Sequence, residues 1–192
     1  MADWSALRLR DRIAPRLRIL FVGINPGVRS AITGHHFAGF SNRFWKLLAE
    51  SRLVPEPITY EDDARLLEWG LGITNLVARP SPGIGDLKAS EYVEGWTVLK
   101  RKIARYRPRV VALVGVTLYR SIVPLLNPPA VAVATARRAR RAPESVLGLR
   151  PELVHGSKIF VLPNPSGRNA NFSYAEMLEA FEALRGYVEG RH

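Results

Sequence analysis

Four short apolar runs recur at wide spacing along the chain, and they constrain its fold more than any other feature. Each run has the length of one buried strand, and the stretches between the runs carry apolar residues at helical spacing. The runs are Ile19–Val22, Leu71–Leu76, Val110–Val114 and Ile159–Leu162. Alternating strands and helices predict a mostly parallel sheet between helices, so we expect an α/β protein built as a three-layer sandwich.

Helices are predicted in segments 41–52, 61–69 and 90–107, between the apolar runs. A last helix is marked most clearly, because Ser173 and Glu176 have the spacing of a capping box. Gly186 is predicted to lie near the end of that helix.

The length and composition predict one domain over residues 1–192, since 192 residues with 47% hydrophobic content suffice for one well-packed core and are few for two. Residues 1–16 carry charges every few positions and are predicted to be a peripheral extension. The N-terminus lacks the apolar core of a signal peptide, and no run reaches about 18 apolar residues. We therefore expect an intracellular protein that does not contact a membrane.

The chain is strongly basic, with 28 Lys and Arg residues against 17 Asp and Glu residues and a formal net charge of +11. Such an excess favours a polyanionic partner, and nucleic acid is the first to consider. An arginine-rich stretch at 137–141 is open to two interpretations, a solvated loop or a loop that contacts phosphates. The absence of cysteine excludes disulfides, thiolate metal sites and cysteine nucleophiles.

Two asparagine–proline turns follow predicted strands, GINPG at 23–27 and LPNPSGRN at 162–169. Ligands of open parallel sheets bind at the carboxyl ends of the strands, where both turns are predicted to lie. A residue before proline is restricted to extended backbone, which largely fixes the direction of the asparagine side chain. Asn, Pro and Gly are also ordinary turn residues, but two such turns at the exits of one sheet favour a binding site.

An asparagine amide can accept a hydrogen bond from water and donate another, but it does not act as a base near neutral pH. It can therefore position a water nucleophile without deprotonating it. That property suits a reaction in which the bond breaks largely before the nucleophile attacks, as in glycosidic cleavage through an oxocarbenium-like state.

Four ordered segments together resemble the family of mismatch-specific uracil-DNA and thymine-DNA glycosylases, within the uracil-DNA glycosylase superfamily. They are GINPG at 23–27, GHHFAGFSNRFWKLL at 34–48, GITNLVARPSPG at 72–83 and LPNPSGRN at 162–169. The resemblance extends from Arg18 into the last helix. It implies a sheet of four or five strands and a monofunctional enzyme that extrudes uracil, and related mismatched or modified pyrimidines, from double-stranded DNA. Such a monomeric enzyme hydrolyses the N-glycosidic bond, leaves an abasic site and uses no metal or other cofactor.

The resemblance implies roles for four residues around the predicted pocket. Asn25 matches the asparagine that holds the water attacking the deoxyribose C1′ atom. Phe37 matches the aromatic residue that stacks on the extruded base, and the backbone around Ile24 and Phe37 would hydrogen-bond the base edge. Asn75 matches a base-contacting position that is asparagine in some relatives and lysine in others.

The resemblance also implies a loop that enters the duplex and fills the space left by the extruded nucleotide. Its residues match Gly167, Arg168 and Asn169, which follow Asn164 and Ser166. Arg168 stands where some bacterial relatives have leucine, which leaves the strength of mismatch recognition open. Arg29 and Ser30 are interpreted as contacts to the DNA backbone phosphates.

Simpler interpretations remain for several of these residues. Phe37 is also compatible with an ordinary core position, and Asn75 with a cap or turn. Asp86 is the only acid expected on the face of the site, and a helix start explains it better than catalysis does. His35 and His36 have no carboxylate at metal-ligand spacing, so no metal site is predicted.

Two other functions compete with a DNA glycosylase. A non-catalytic nucleic-acid-binding module would account for the charge but not for two preorganised asparagine–proline turns. A hydrolase of free nucleosides would need neither the charge nor an inserting loop.

Overall fold

The structure is a computed structural model and describes residues 4–126 and 146–190. Its centre is a five-stranded sheet with the strand order β2-β1-β3-β5-β4. The strands are β1 Ile19–Gly23, β2 Leu71–Asn75, β3 Val110–Val114, β4 Gly148–Val154 and β5 Ser157–Leu162. Neighbours among β2, β1, β3 and β5 run parallel, and β4 pairs antiparallel with β5. All four apolar runs form strands, which confirms the predicted mostly parallel α/β sheet.

Helices cover both faces of the sheet. They are α1 Val28–Thr33, α2 Phe44–Glu50, α3 Ala89–Tyr106, α4 Val116–Leu126 and α5 Tyr174–Glu189, with short 3-10 helices at Trp4–Ala6, Tyr60–Trp69 and Ile84–Asp86. Within the described residues, no helix is both long enough and apolar enough to cross a membrane.

The side chains of β1 alternate between two separate cores, as the two-residue period of a strand requires. Ile19 and Phe21 belong to the core beneath α2 and α5, whereas Leu20 and Val22 belong to the core beneath α3 and α4. Every residue of β1 is buried. The continuous apolar run in the sequence therefore reflects a strand covered on both faces, which is typical of parallel sheets.

Strand β4 was not among the predicted strands. It lies at the sheet edge, and its residues alternate between partly buried and exposed until Val154. Pro151 falls within it, at a shift in pairing register between Arg150 and Leu153. Proline cannot donate a hydrogen bond to a neighbouring strand and is tolerated at edges and irregularities, so β4 lacks the apolar pattern that identified the other strands.

The capping box predicted at the last helix is present, since the Ser173 hydroxyl accepts from the Glu176 backbone N–H and the Glu176 carboxylate accepts from the Ser173 N–H. Gly186 lies near the end of the helix, as predicted. Helix α5 continues to Glu189, and Gly190 ends it with a left-handed backbone at φ 72°.

The N-terminal segment is more closely tied to the fold than a peripheral extension. Arg12 and Ile73 exchange backbone hydrogen bonds of 2.9 and 2.8 Å, so this segment covers part of the free edge of β2. The Arg12 guanidinium also donates to the buried carboxylate of Asp63 at 2.9 Å. The arginine-rich stretch 137–141 lies outside the described residues, so its two interpretations remain open.

The strand order places a change of direction at β1. From β1 the chain moves to β2 on one side, and it then returns to β3 on the other. Loops leaving neighbouring strands in opposite directions open a crevice at their carboxyl ends, which is the usual ligand position in open α/β sheets. This crevice contains the candidate site.

Gly95 allows α3 to approach the end of β2 closely. A β-carbon at this position would lie 2.3 Å from the Leu76 carbonyl oxygen, a backbone atom. A glycine inside a helix is ordinarily less stable than alanine by up to about 1 kcal/mol. At position 95 the close approach makes glycine more stable than alanine.

We therefore expect Gly95→Ala to lower the free energy of unfolding by about 1–3 kcal/mol, the typical cost of overpacking. Urea unfolding followed by circular dichroism measures it. Gly85→Ala is the matched control, since a β-carbon there meets no atom within 4 Å. A Gly95→Ala protein as stable as the control would contradict the close packing of α3 on β2.

Candidate active site

A cavity of about 220 Å³ opens at the carboxyl ends of the central strands. It is smaller than the pockets of roughly 300–1,000 Å³ that hold drug-sized ligands, and it suits a single heterocyclic base. Its walls come from both asparagine–proline turns, from the segment around Phe37 and from the loop after β2. The lining residues predicted from the sequence are Ile24, Asn25, Ser30, Phe37, Asn75, Asn164 and Ser166.

The side-chain amide of Asn25 is held by its nitrogen. Nδ2 donates to the Ser81 hydroxyl at 2.8 Å, to the Pro26 carbonyl at 3.2 Å and to the Arg79 carbonyl at 3.3 Å. Because the Ser81 hydroxyl itself donates to the Gly83 carbonyl at 2.6 Å, it must accept from Asn25. The three acceptors fix the orientation of the amide and leave Oδ1 as its free acceptor among the described residues.

The loops after β1 and β2 are joined by backbone hydrogen bonds that continue the β1–β2 pairing beyond the sheet. Leu76 N–H donates to Gly23, Val77 N–H to Ile24 and Ser81 N–H to Pro26, at 2.8, 2.8 and 3.1 Å. The position of Asn25 is therefore set by the sheet rather than by a mobile turn.

Arg79 fastens the outer part of the loop after β2. Its guanidinium makes two hydrogen bonds to the Glu91 carboxylate, at 2.8 and 2.9 Å, and a third to the Asp86 carbonyl at 3.0 Å. The hydrogen bonds from Arg79 to Glu91 lower the pKa of the Glu91 carboxyl to about 2. Asp86 accepts from the Gly83 N–H at 3.1 Å at the start of a short 3-10 helix, in agreement with its interpretation as a helix-start acid.

Phe37 forms a wall of the cavity and has a strained backbone. Its φ is 51°, in the left-handed region that bulky side chains rarely adopt. Its ring stacks on Phe44 with centroids 4.2 Å apart and planes inclined by 22°. The residue thus packs against the core and lines the cavity at once, so the two sequence interpretations of Phe37 are compatible.

Asn75 is oriented by a buried histidine. His36 Nε2 lies 3.1 Å from the Arg10 carbonyl oxygen, which accepts only, so Nε2 carries the proton in the neutral ring. Nδ1 is then an acceptor and faces the Asn75 amide nitrogen at 3.5 Å. This arrangement leaves the side-chain oxygen Oδ1 of Asn75 beside Gly23. A β-carbon on Gly23 would lie only 2.6 Å from that oxygen.

Burial keeps His36 neutral. Only 1% of the residue is exposed, and desolvation lowers its pKa to about 4, although Asp63 and Asp11 act in the opposite direction. Asp63 is itself fully buried and accepts hydrogen bonds from the His36 backbone N–H and from Arg12. The His35 ring is also engaged, since its Nδ1 lies 3.3 Å from Asp63 Oδ1.

The turn after β5 is ordered by its own side chains. Asn164 Oδ1 accepts from the Ser166 N–H at 3.0 Å, and Asn169 Nδ2 donates to the Asn164 carbonyl at 2.8 Å. Asn164 and Ser166 face the cavity, whereas Arg168 and Asn169 line a neighbouring depression. The Arg168 side chain is exposed and has no hydrogen-bond or ion-pair partner among the described residues.

Arg29 and Ser30 are engaged inside the protein. Ser30 is 6% exposed, and its hydroxyl accepts from the Ala38 N–H at 3.1 Å. Arg29 donates to the Ala38 carbonyl at 2.6 Å and to the Tyr60 hydroxyl at 3.3 Å, so it supports the loop at the cavity mouth.

The sequence interpretation missed Leu9, His36 and Ser81 as residues lining the cavity. Ser81 lies within the quoted GITNLVARPSPG segment, and its place six residues after Asn75 on a strand-exit loop was the available signal. Nothing in the local pattern indicated Leu9, because the N-terminal segment reaches the cavity through pairing with β2.

Comparisons with known proteins agree with this architecture. Residues 11–185 match the family model described as the uracil DNA glycosylase superfamily. A G/U mismatch-specific uracil DNA glycosylase of Schizosaccharomyces pombe is 36% identical over 167 residues, which are 85% of this chain and 48% of that protein. The chain thus spans about half the length of this curated relative.

The fold also resembles the solution NMR structure of a candidate uracil DNA glycosylase from Methanosarcina acetivorans. The TM-score is 0.57 at 18% sequence identity, and the match covers 95% of this chain and 98% of that one.

The lowered pKa of His36 predicts an acid-dependent loss of stability. An unfolded histidine takes up a proton near pH 6.5, whereas folded His36 stays neutral down to about pH 4. The unfolded state therefore binds more protons as the pH falls, and folding should lose up to about 3 kcal/mol across this window. Glu91 loses its contribution to stability over a lower pH range, from its ordinary pKa of 4.5 down to its pKa of about 2 in the folded protein.

Thermal unfolding at a series of pH values measures this effect. We expect His36→Gln to flatten the decline between pH 6.5 and 4, whatever its stability at neutral pH. His155→Asn is the control, because His155 is exposed and asparagine tolerates its positive φ of 49°. Equal slopes for the wild type and His36→Gln would show that His36 is not held neutral.

Proposed function

The chain belongs to the uracil DNA glycosylase superfamily, and we propose that it is a DNA glycosylase of base-excision repair. It would extrude uracil, and related mismatched or modified pyrimidines, from double-stranded DNA and hydrolyse the N-glycosidic bond. The products are the free base and an abasic site. We further propose that it acts as a monomer, inside the cell, without a cofactor.

The observation that carries this proposal is the anchored amide of Asn25. Its nitrogen is engaged by three acceptors, so its carbonyl oxygen is available to accept a hydrogen bond from water in the cavity. An amide oxygen orients water but does not deprotonate it at neutral pH. The reaction it can assist is therefore one in which the leaving base departs early and an oxocarbenium-like sugar is captured by water.

The other walls suit a planar heterocycle. The ring of Phe37 offers a stacking surface, and Asn75 presents an amide whose orientation is set by neutral His36. Stacking on an aromatic side chain contributes about 1–3 kcal/mol per base, which offsets part of the cost of extrusion. These features support the proposed roles of Phe37 and Asn75 in binding the base.

Duplex DNA as the substrate is supported by charge and by the turn after β5. The net charge of +11 favours a polyanion. Arg168 lies on the exposed part of that turn, next to the cavity, and we propose that it fills the space left by the extruded nucleotide, with Gly167 and Asn169 shaping its approach. Contact of Arg29 with a phosphate stays a prediction.

Incubation with a duplex that contains one uracil, followed by alkali, tests the function. Strand breaks at the uracil position support a DNA glycosylase, and release of free uracil from deoxyuridine, followed by chromatography, tests the nucleoside hydrolase. Binding without base release from either substrate would favour the non-catalytic module.

Asn25→Ala should abolish most base release and leave DNA affinity nearly unchanged, because phosphate contacts dominate binding. Removing one positioning group commonly lowers the rate on the order of 100-fold or more. Single-turnover release and a binding titration on the same uracil duplex measure the two effects. Ser81→Ala, which removes one of the three acceptors, should lower the rate less, and Asn25→Ala activity within a few-fold of wild type would refute the role of Asn25.

Substrate range is expected to be broad at the C5 position of the pyrimidine. Gly27 lines the cavity, and a β-carbon there would meet no atom within 4 Å, so the turn leaves open space. Uracil opposite guanine should be released faster than uracil opposite adenine, since weak pairing lowers the cost of extrusion.

Gly27→Tyr should narrow the range by crowding C5 while keeping some release of uracil, and the Gly27 φ of −69° is compatible with any L-residue. Single-turnover release of uracil and of 5-substituted uracils from matched duplexes measures this. A wild type that rejects every 5-substituted uracil would show that another residue closes the cavity.

A further inference from the structure

Phe40 lies at the rim of the cavity, on the segment between Phe37 and α2. It is 89% exposed, more than any other large hydrophobic side chain that the structure describes. Gly39 and Asn42, on either side of it, both line the cavity. A single exposed apolar residue is common on protein surfaces, so the position and support of this ring are what distinguish it.

The ring of Phe40 is held in place by an arginine. The guanidinium carbon of Arg29 lies 3.7 Å from the ring centroid, well within the range of a cation–π contact. Arg29 is fixed in turn by its hydrogen bonds to the Ala38 carbonyl and the Tyr60 hydroxyl. Part of the Phe40 ring therefore contacts the Arg29 guanidinium, and the rest is exposed to solvent. Because the ring is already held in place, it would lose little conformational entropy on binding.

The Phe40 segment packs directly against the turn after β5. A β-carbon at Gly167 would lie 2.5 Å from the Ser41 β-carbon and 2.7 Å from its carbonyl oxygen, so the two backbones touch. Arg43 N–H also donates to the Pro165 carbonyl at 2.9 Å. Two exposed side chains, Phe40 and Arg168, thus belong to neighbouring segments that are locked together beside the cavity mouth.

We propose that Phe40 is a second duplex-contacting side chain, which stacks on the base next to the extruded nucleotide in the same strand. The inference rests on the proposed function, because only an extruded base leaves its neighbour with an uncovered face. Apolar side chains that cover or separate base steps are a recurrent device of proteins that distort DNA. In this arrangement Arg168 fills the vacated space while Phe40 stabilises the flanking nucleotide, so both lower the cost of extrusion.

The test uses a duplex with one uracil opposite guanine and 2-aminopurine beside the uracil, on the 5′ side in one duplex and the 3′ side in another. Binding affinity, 2-aminopurine fluorescence in the complex and single-turnover release of uracil are measured for each variant. Binding to a duplex with abasic-site analogues on both sides of the uracil, which offers no flanking base in that strand, is measured in parallel. The variants are Phe40→Ala, Phe40→Trp and Leu153→Ala.

Leu153 is the matched control, since it is an apolar residue with 54% exposure at the far edge of the sheet, where β4 pairs with the start of β5. Phe40→Ala should weaken duplex binding about tenfold, within the roughly 5- to 150-fold range of a lost aromatic–base stack. In the duplex with 2-aminopurine on the side that Phe40 contacts, the complex of Phe40→Ala should fluoresce more strongly than that of the wild type. Phe40→Trp should retain binding and quenching. Phe40→Ala should bind the duplex without flanking bases within about twofold of the wild type.

Phe40→Ala that behaves like Leu153→Ala in duplex binding and fluorescence would overturn the proposal and leave the proposed function intact. A loss of binding as large on the duplex without flanking bases as on the ordinary duplex would also overturn it, because the ring would then serve the cavity itself. If the wild type binds the duplex but releases no uracil, the proposed function fails. The binding and fluorescence measurements still decide the role of Phe40 in that case, and thermal unfolding checks that every variant folds.

Discussion

The pairing of β1 with β2 does not stop at the ends of the strands, and the site depends on that continuation. Backbone hydrogen bonds from Leu76, Val77 and Ser81 carry the pairing across the two loops. They bring the Ser81 hydroxyl within 2.8 Å of the Asn25 amide. The Asn-Pro turn restricts the backbone of Asn25, and the joined loops add the acceptors that hold its side-chain amide. Preorganisation of this kind is what allows a weakly interacting group to contribute to a reaction.

The sequence predicted the parts of the fold that depend on local pattern. Strands buried on both faces are continuous apolar runs, and the helix at Ser173 has a capping box, so both were evident. Strand β4 was missed because an edge strand with Pro151 has no such pattern. The contribution of Leu9 was missed for a different reason, since it results from the pairing of Arg12 with Ile73, 61 positions later in the chain.

For the site, the sequence indicated which loops meet but not how their side chains are held. Asn25, Phe37, Asn75 and Asn164 do line one cavity, as strand exits on one edge of a parallel sheet must converge. The arrangement of Asn75, in contrast, depends on the protonation state of His36. The neutral state follows from burial and the tautomer from the Arg10 carbonyl, neither of which is encoded near His36 in the sequence. The phosphate contacts of Arg29 and Ser30 stay a prediction, and the internal hydrogen bonds of these two residues could not be predicted because they depend on the fold of the 36–40 segment.

That segment also explains why a bulky residue is held in an unfavourable conformation. A positive φ at a phenylalanine costs on the order of 1–3 kcal/mol and persists only where its surroundings impose it. The Phe37 ring is fixed by stacking on Phe44, while the backbone on either side is held by the His36 N–H bond to Asp63 and the Ala38 N–H bond to Ser30. These contacts therefore hold Phe37 in the wall of the cavity despite that cost. Phe40, three residues later in the same segment, is exposed beside the cavity mouth, so one short segment contributes an aromatic residue to the cavity wall and another to the rim.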